Sequence, residues 1–325
     1  MSLPLQTVDQ SPLNLRRFWA AARQVHPGPT LRAAKHRLVF LFACLKSWPQ
    51  LREMFDRIDH RALKQELQRR PETLGFVVWP YISADWAIRQ RFEKIAQHRQ
   101  ALLDDMTVLD IDLSDAIVVA DLSDVSPGLR LVVDRAPWFV REGGLVLNEF
   151  QHDERMMSLA FSFGELDGVR VVYVGCIQGS HDHSALLTYR KITKNLEGMR
   201  SRDFLIKCFQ FLMCHLGVQR ILCVPDEQRH HRHAYFKKDK AIDLHLHYDQ
   251  IWREHAGRLS TDGFYELSLA PIIKPTKEIS SKKRAMYRRR YQLLAEIDTR
   301  IASCLKTVAH PCQQGFTNSK TGNSP

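Results

Sequence analysis

The stretch from Ser201 to Leu216 constrains the fold more than any other part of this chain. Phe204, Leu205, Ile206, Phe209, Phe211, Leu212 and Met213 put apolar side chains on nearly every side of a helix, so that helix has to be buried on most of its surface. Ser201 is a residue type that caps a helix start, and Gly217 can take the left-handed conformation that ends one. Val218 to Val224 follows at once as an apolar run of the kind found inside a sheet. With a strand expected at 169–177, this makes one βαβ-like unit, and the chain reads as an α/β (α+β) protein.

The rest of the sequence fits around that unit. With 44% hydrophobic and 26% charged residues among 325, the chain can bury a large core and is not a disordered protein. Residues 14–70 have helical period, with Leu31, Leu38, Leu41, Phe42 and Leu45 in one stripe and basic residues over much of the remainder. Thr73 to Trp79 reads as a short strand, and Ser83 as the cap of a helix running to about Leu103. Short β-like runs follow at Val108–Leu113, Ala116–Ala120, Leu129–Val133, 145–150, Ser158–Phe163 and Val169–Ile177, with Asp167-Gly168 as a hairpin signal. A helix is expected across 241–256, a strand at 263–269 and a last helix at about 282–305. The expected organisation is a helical N-terminal region over 1–103, a mixed, largely antiparallel α/β domain over 104–305 and a disordered tail over 306–325.

Charge narrows the partners. The formal balance of +11 and a pI near 9.4 favour an anionic partner, but the order along the chain is basic, acidic, basic. Residues 1–72 carry 13 Lys/Arg against 6 Asp/Glu, residues 101–170 carry 5 against 14, and residues 273–300 carry 9 against 3, so a uniform nucleic-acid coat is disfavoured. An anionic small molecule or a lipid-linked substrate fits better, and so does a peripheral contact with the inner face of a membrane. Seven cysteines without a C-x-x-C pair read as buried free thiols of a reducing compartment. No signal peptide and no membrane-spanning run is recognised, so the expected location is the cytoplasm.

Candidate chemistry concentrates in Arg229-His230-His231-Arg232-His233 and His245-x-His247. Their spacing matches no metal motif, so no metal site is expected, and no cofactor is identified. Arg200, Arg229, His231 and His233 are expected on one surface above the sheet, because each follows a strand or precedes a helix where open α/β sheets hold ligands. His181-Asp182-His183 reads as a solvated loop more readily than as a proton-transfer pair, and Asp121, Asp124, Asp134, Glu149 and Asp153, near strand ends, either pair for acid/base work or, as well or better, serve as surface carboxylates. There is no G-x-S-x-G, Walker loop or G-x-G-x-x-G, and Cys208, Cys214 and Cys223 lie in apolar runs that raise a thiol pKa. Arg290 falls in the stripe of Leu294, Ile297 and Ile301, with Lys283 two turns earlier. Either its head reaches water at the helix edge, or both cations face a cleft and hold a carboxylate or phosphate.

Several segments together carry a family resemblance: Leu196-Glu197-Gly198-Met199-Arg200, Val218 to Val224, His233-Ala234-Tyr235-Phe236, His247-Tyr248-Asp249-Gln250-Ile251-Trp252, Asp262-Gly263-Phe264-Tyr265 and Ser281 to Tyr291. As an ensemble over roughly 30–300 the chain resembles the VirK/YbjX family of bacterial proteins of unknown function. That resemblance implies an association with virulence and with envelope or stress-related traits, and no established reaction. The order of hairpin strands, buried crossover helix, central strand and Gly-Phe-Tyr-led strand also resembles the N-acetyltransferase fold, which binds an acyl-CoA pyrophosphate at a helix start. The corresponding stretch, Asn195 to Arg200 with Gly198 inside it, departs from that fold's Gln/Arg-x-x-Gly-x-Gly/Ala at both ends.

Overall fold

Asp167 and Gly168 both take positive φ, 53° and 75°, the two-residue turn whose twist suits antiparallel neighbours. In the computed structural model, which describes residues 15–57, 60–180, 185–236 and 247–309, this turn joins β4 (Glu154–Leu166) to β5 (Val169–Gly179). Toward one edge the sheet continues through β3 (Leu145–Gln151), β2 (Leu129–Asp134) and β1 (Ala116–Asp121), every pair antiparallel. On the other side β6 (Arg220–Cys223) lies parallel to β5, followed by β8 (Tyr265–Leu267) and β7 (Arg258–Leu259). The result is an open eight-stranded sheet in the order β1-β2-β3-β4-β5-β6-β8-β7, with β6 as the interior strand that its apolar run predicts. Val171 to Ile177 is buried without interruption, so both faces of β5 are covered.

Helices α1 (Leu15–Val25), α2 (Leu31–Lys46), α3 (Trp48–Arg57), α4 (His60–Arg69) and α5 (Ile88–Asp104) precede the sheet. They share its core: Trp86 meets Tyr173 edge-on at 5.3 Å, and His98 stacks on Phe163 at 5.8 Å. Between β5 and β6 come α6 (Ala185–Asn195) and α7 (Ser201–His215). α7 is the buried helix of the sequence reading, with Phe209 against Phe161 at 5.1 Å. Gly217, at φ 67°, ends it while Val218 N–H returns to the Met213 carbonyl at 3.1 Å. α8 (Tyr248–Glu254) and α9 (Arg284–Ala309) complete the chain. α9 lies along the outer strand β1, where Arg300 donates to the Asp121 carbonyl at 2.7 Å and pairs with Asp124 at 2.6 Å.

Several expectations are corrected. Residues 73–79 form no strand; Pro71–Val77 is a 3-10 helix, started by Pro71 and folded tightly enough that a Cβ on Gly75 would lie 2.6 Å from the Trp79 ring. Val108–Leu113 is likewise no strand and overlaps the short 3-10 turn Thr107–Leu109. Ser83 accepts from Asp85 N–H inside a turn, and α5 starts at Ile88 after Ala87. Ser201 does not cap α7: it is the first helical residue, and its hydroxyl donates to Glu149 at 2.7 Å. Glu149 itself is buried rather than a surface carboxylate. Of the apolar stripe of α2, Leu41 is partly buried against the core while Leu31, Leu38, Phe42 and Leu45 point outward, because Ala33, Phe40 and Cys44 are the residues turned to the core. Cys214 is exposed, whereas Cys44, Cys176, Cys208 and Cys223 are buried. The last helix extends to Ala309, into the stretch expected as tail. His181-Asp182-His183, His245, residues 241–246 and residues 310–325 lie outside the described residues.

Candidate functional site: a basic cleft and a buried Glu-His-Arg centre

The sequence-predicted residues gather into two groups at the two ends of α8, about 10 Å of helix axis apart. Gly198, Arg200, Lys283 and Arg290 line one cleft. Arg229, His231 and His233 belong to the other group, so the single surface expected for Arg200 with these three is divided.

The cleft encloses about 500 Å³ between the start of α7, the end of α8, residues 272–274 and the start of α9. Its geometry begins with the turn before α7, where Glu197 and Gly198 take φ of 52° and 76°. That turn aims the Glu197 carbonyl at α9, and Arg290 donates to it from Nε at 3.1 Å and Nη2 at 2.7 Å. A Cβ on Gly198 would lie 3.1 Å from Arg290 Nη2, so glycine leaves room for this approach. Arg290 is half-buried in the Leu294, Ile297, Ile301 stripe as the helical period predicts, with its guanidinium 4.3 Å from the Tyr287 ring. Its partner is a main-chain carbonyl rather than a carboxylate of the acidic middle; Arg289 takes the Glu197 carboxylate instead, at 2.8 Å.

Five cations, Arg200, Lys207, Lys274, Lys283 and Arg290, face two carboxylates across this cleft. The carboxylates are already matched: Asp203 lies 3.3 Å from His255 and 3.4 Å from Arg202 and Arg200, and Glu254 lies 2.6 Å from Arg202. Lys207, Lys274 and Lys283 make no ion pair with any described residue, and burial holds the Lys207 amine below its ordinary pKa. At the start of α7 the N-cap Arg200 supplies no side-chain acceptor to the first N–H groups. Gln210, also lining the cleft and almost fully buried, donates to the Ser268 carbonyl at 2.6 Å while its Oε1 has no partner among the described residues.

The second group forms where β6 ends beside β5. The strands pair from Val171 to Val174, and further along the Tyr248 hydroxyl takes both the N–H and the carbonyl of Ile177, each at 3.1 Å. Asp226 fixes Tyr248 by accepting its N–H at 2.9 Å, and Arg229 lies 3.8 Å over the Tyr248 ring. Gly175 lets the turn before β3 come close, since a Cβ there would meet the Glu142 carbonyl at 2.0 Å. Glu142 thereby reaches His230, Oε1 to Nδ1 3.6 Å. Burial pushes the Glu142 carboxyl up to about 7 and holds His230 well below the ordinary imidazole value. His233 Nε2 lies 2.8 Å from Arg91, whose guanidinium also donates to the carbonyls of Trp86 and Trp79. Arg141 sits in an aromatic cage, 4.6 Å from Trp79 and 5.5 Å from Tyr235 and Phe236, and its Nε has no hydrogen-bond partner among the described residues.

Glu142, His230 and His231 offer three ligand atoms within 4.8 Å of one another, the donor set of a cation site. Arg141 and Arg229 face the same centre, and their charges lower the His230 pKa and oppose a divalent ion. The set therefore suits proton transfer or an anion better than a metal. Glu142 went unrecognised in the sequence because it meets His230 only through the folded sheet. Lys207 was hidden inside a helix whose composition reads as wholly buried.

The model of a protein family of unknown function, DUF535, matches residues 29–303. The chain belongs to this family. It is similar to the uncharacterized protein YbjX of Escherichia coli (strain K12), 25% identical over 310 residues that cover 92% of this chain and 93% of YbjX. It is also similar to an uncharacterized protein of Haemophilus influenzae, 22% identical over 267 residues, 79% of this chain and 88% of that protein. The VirK/YbjX resemblance read from the sequence is thus this family. No solved structure matches the chain, and none supports the expected resemblance to the N-acetyltransferase fold.

Proposed function

We propose that the protein binds a phosphate-bearing anion, free or as the headgroup of a lipid-linked substrate, in the cleft at the start of α7. The observation that carries this reading is the surplus of cations: Lys207, Lys274 and Lys283 make no close ion pair among the described residues, beside a half-buried Arg290 and an uncapped helix start. Arginine held in place by a carbonyl keeps its remaining N–H groups oriented for a bidentate oxyanion, and lysines add charge without fixing geometry. The unpartnered Gln210 Oε1 supports a ligand that also carries a hydroxyl or amine donor.

The test is a thermal-shift series with inorganic phosphate, sugar phosphates, nucleotides and acyl-CoAs. A ligand that binds only the folded state raises the melting temperature, and the rise should vanish in a Lys283→Ala, Arg290→Met variant. If no phosphate-bearing compound raises it, the reading fails.

The Glu142 and His230 pair supports a finer reading, in which a substrate long enough to span α8, about 10 Å of helix axis, is held by its phosphate in the cleft and undergoes group transfer at this second centre. A carboxyl near 7 is matched to accept a proton at neutral pH, and Arg141 and Arg229 favour negative charge beside it. Glu142→Gln keeps the shape of the centre and removes the base. It should leave phosphate binding unchanged and abolish complementation of a strain lacking the gene. A fully complementing variant would overturn the group-transfer reading and leave a binding protein.

A further inference from the structure

The outward face of α2 is the largest feature that neither the cleft nor the Glu142 centre uses. Leu31, Leu38, Phe42 and Leu45 lie at spacings of seven, four and three, one side of a helix, and Val39 adjoins them. They are 91%, 64%, 70%, 56% and 53% exposed, in that order with Val39 last. Packing does not require this, because the opposite side of the same helix buries Ala33, Phe40 and Cys44. Trp19 of α1, 48% exposed, adds an amphipathic ring. A monomer rarely leaves so continuous an apolar row in water.

Charge identifies what covers it. α2 contains no acidic residue, and Lys35 and Lys46 stand one turn beyond Leu31 and Phe42, exposed on the same side, with Arg32 beside them. Over residues 15–57 there are nine Lys/Arg against two Asp/Glu. A second copy would bring the same cations against these, and the repulsion would oppose a pair. An anionic lipid surface answers both halves of the pattern: the apolar row enters the acyl boundary while long basic side chains reach phosphates at headgroup depth. None of the described helices is long and apolar enough to cross a membrane, so the contact lies in the interface plane.

We propose that the exposed face of α2, with Trp19, docks this protein on an anionic phospholipid bilayer. The inference stands apart from the cleft, which takes its ligand with or without a membrane.

The experiment is co-sedimentation of the full chain with vesicles of phosphatidylglycerol and phosphatidylethanolamine, and with phosphatidylcholine alone. Binding is expected to the anionic vesicles and not to phosphatidylcholine, and to weaken at about 0.5 M salt. Phe42→Asp should lower the partition coefficient on the order of tenfold, and Lys35→Glu with Lys46→Glu by a similar factor. Both variants keep the wild-type melting temperature, since these side chains are exposed. Light scattering runs in parallel. Equal binding of wild type and Phe42→Asp, no binding to anionic vesicles, or a dimer in solution that Phe42→Asp separates would each overturn the proposal, the last in favour of a second copy. Phosphate-induced thermal shifts in Phe42→Asp should stay unchanged, which separates this test from that of the cleft.

Discussion

The guanidinium of Arg290 in α9 and the carbonyl of Glu197 in the turn between α6 and α7 are joined by two hydrogen bonds, at 3.1 and 2.7 Å. An arginine inside an apolar stripe is satisfied here by main chain, and the turn that offers the carbonyl is the turn that opens the cleft. Arg290→Met should leave α9 folded and lower affinity for inorganic phosphate roughly tenfold or more, the loss expected for a charge-assisted hydrogen bond. Arg290→Lys should recover part of it, having charge without the fork. Calorimetric titration distinguishes the three proteins.

Gly198 tests the same junction from the other side. At φ 76°, with Arg290 Nη2 3.1 Å from the place a Cβ would occupy, Gly198→Ala is expected to cost about 1–2 kcal/mol of stability and to weaken phosphate binding with it. Denaturant unfolding measures the first and titration the second.

Much of this cleft was legible in the sequence, because helical period puts Arg290 and Lys283 in one stripe and a lone glycine before a buried helix marks the turn. What stayed hidden has identifiable causes. A short apolar run such as 73–79 has the same composition as strand or 3-10 helix, and only the closure of Trp79 on Gly75 decides it. The apolar stripe of α2 is visible in the sequence, but a small set, Ala33, Phe40 and Cys44, turned out to be the packed side. Glu142 and His230 are joined by sheet topology, which no local pattern encodes.

Glu149 gives a pH dependence with a definite sign. Burial raises its carboxyl to about 7, so the folded state holds a proton that the unfolded chain releases near 4.5. The stabilisation is complete below about pH 4.5 and is lost as pH rises through about 7. Glu149→Gln, which keeps the acceptor for Ser201 and has no proton to lose, should therefore gain stability relative to wild type as pH rises from 5 to about 7.5. Melting temperatures across that interval check it; a constant difference would refute it.

Arg135 and Glu66 form a buried ion pair at 3.0 Å, with side chains 2% and 7% exposed. Arg135→Met leaves the carboxylate without its partner and should destabilise by about 3–5 kcal/mol. Replacing Glu66 by Leu in the same protein should restore most of that loss, because the cost lies in the orphaned charge. A double-mutant cycle in urea gives the coupling directly.

α9 both covers the outer strand of the sheet and supplies Met286, Tyr287 and Arg290 to the cleft, with Lys283 in the 3-10 turn Ser281–Lys283 just before it. During synthesis the strands can pair and α7 can bury its apolar surface while α9 is still inside the ribosome, leaving β1 an open edge and the cleft a shallow groove. Emergence of α9 then closes the edge and builds the wall of the cleft in one event. A nascent chain would thus gain its anion affinity and lose its exposed edge together, and the ligand would hold only chains whose sheet is already sealed.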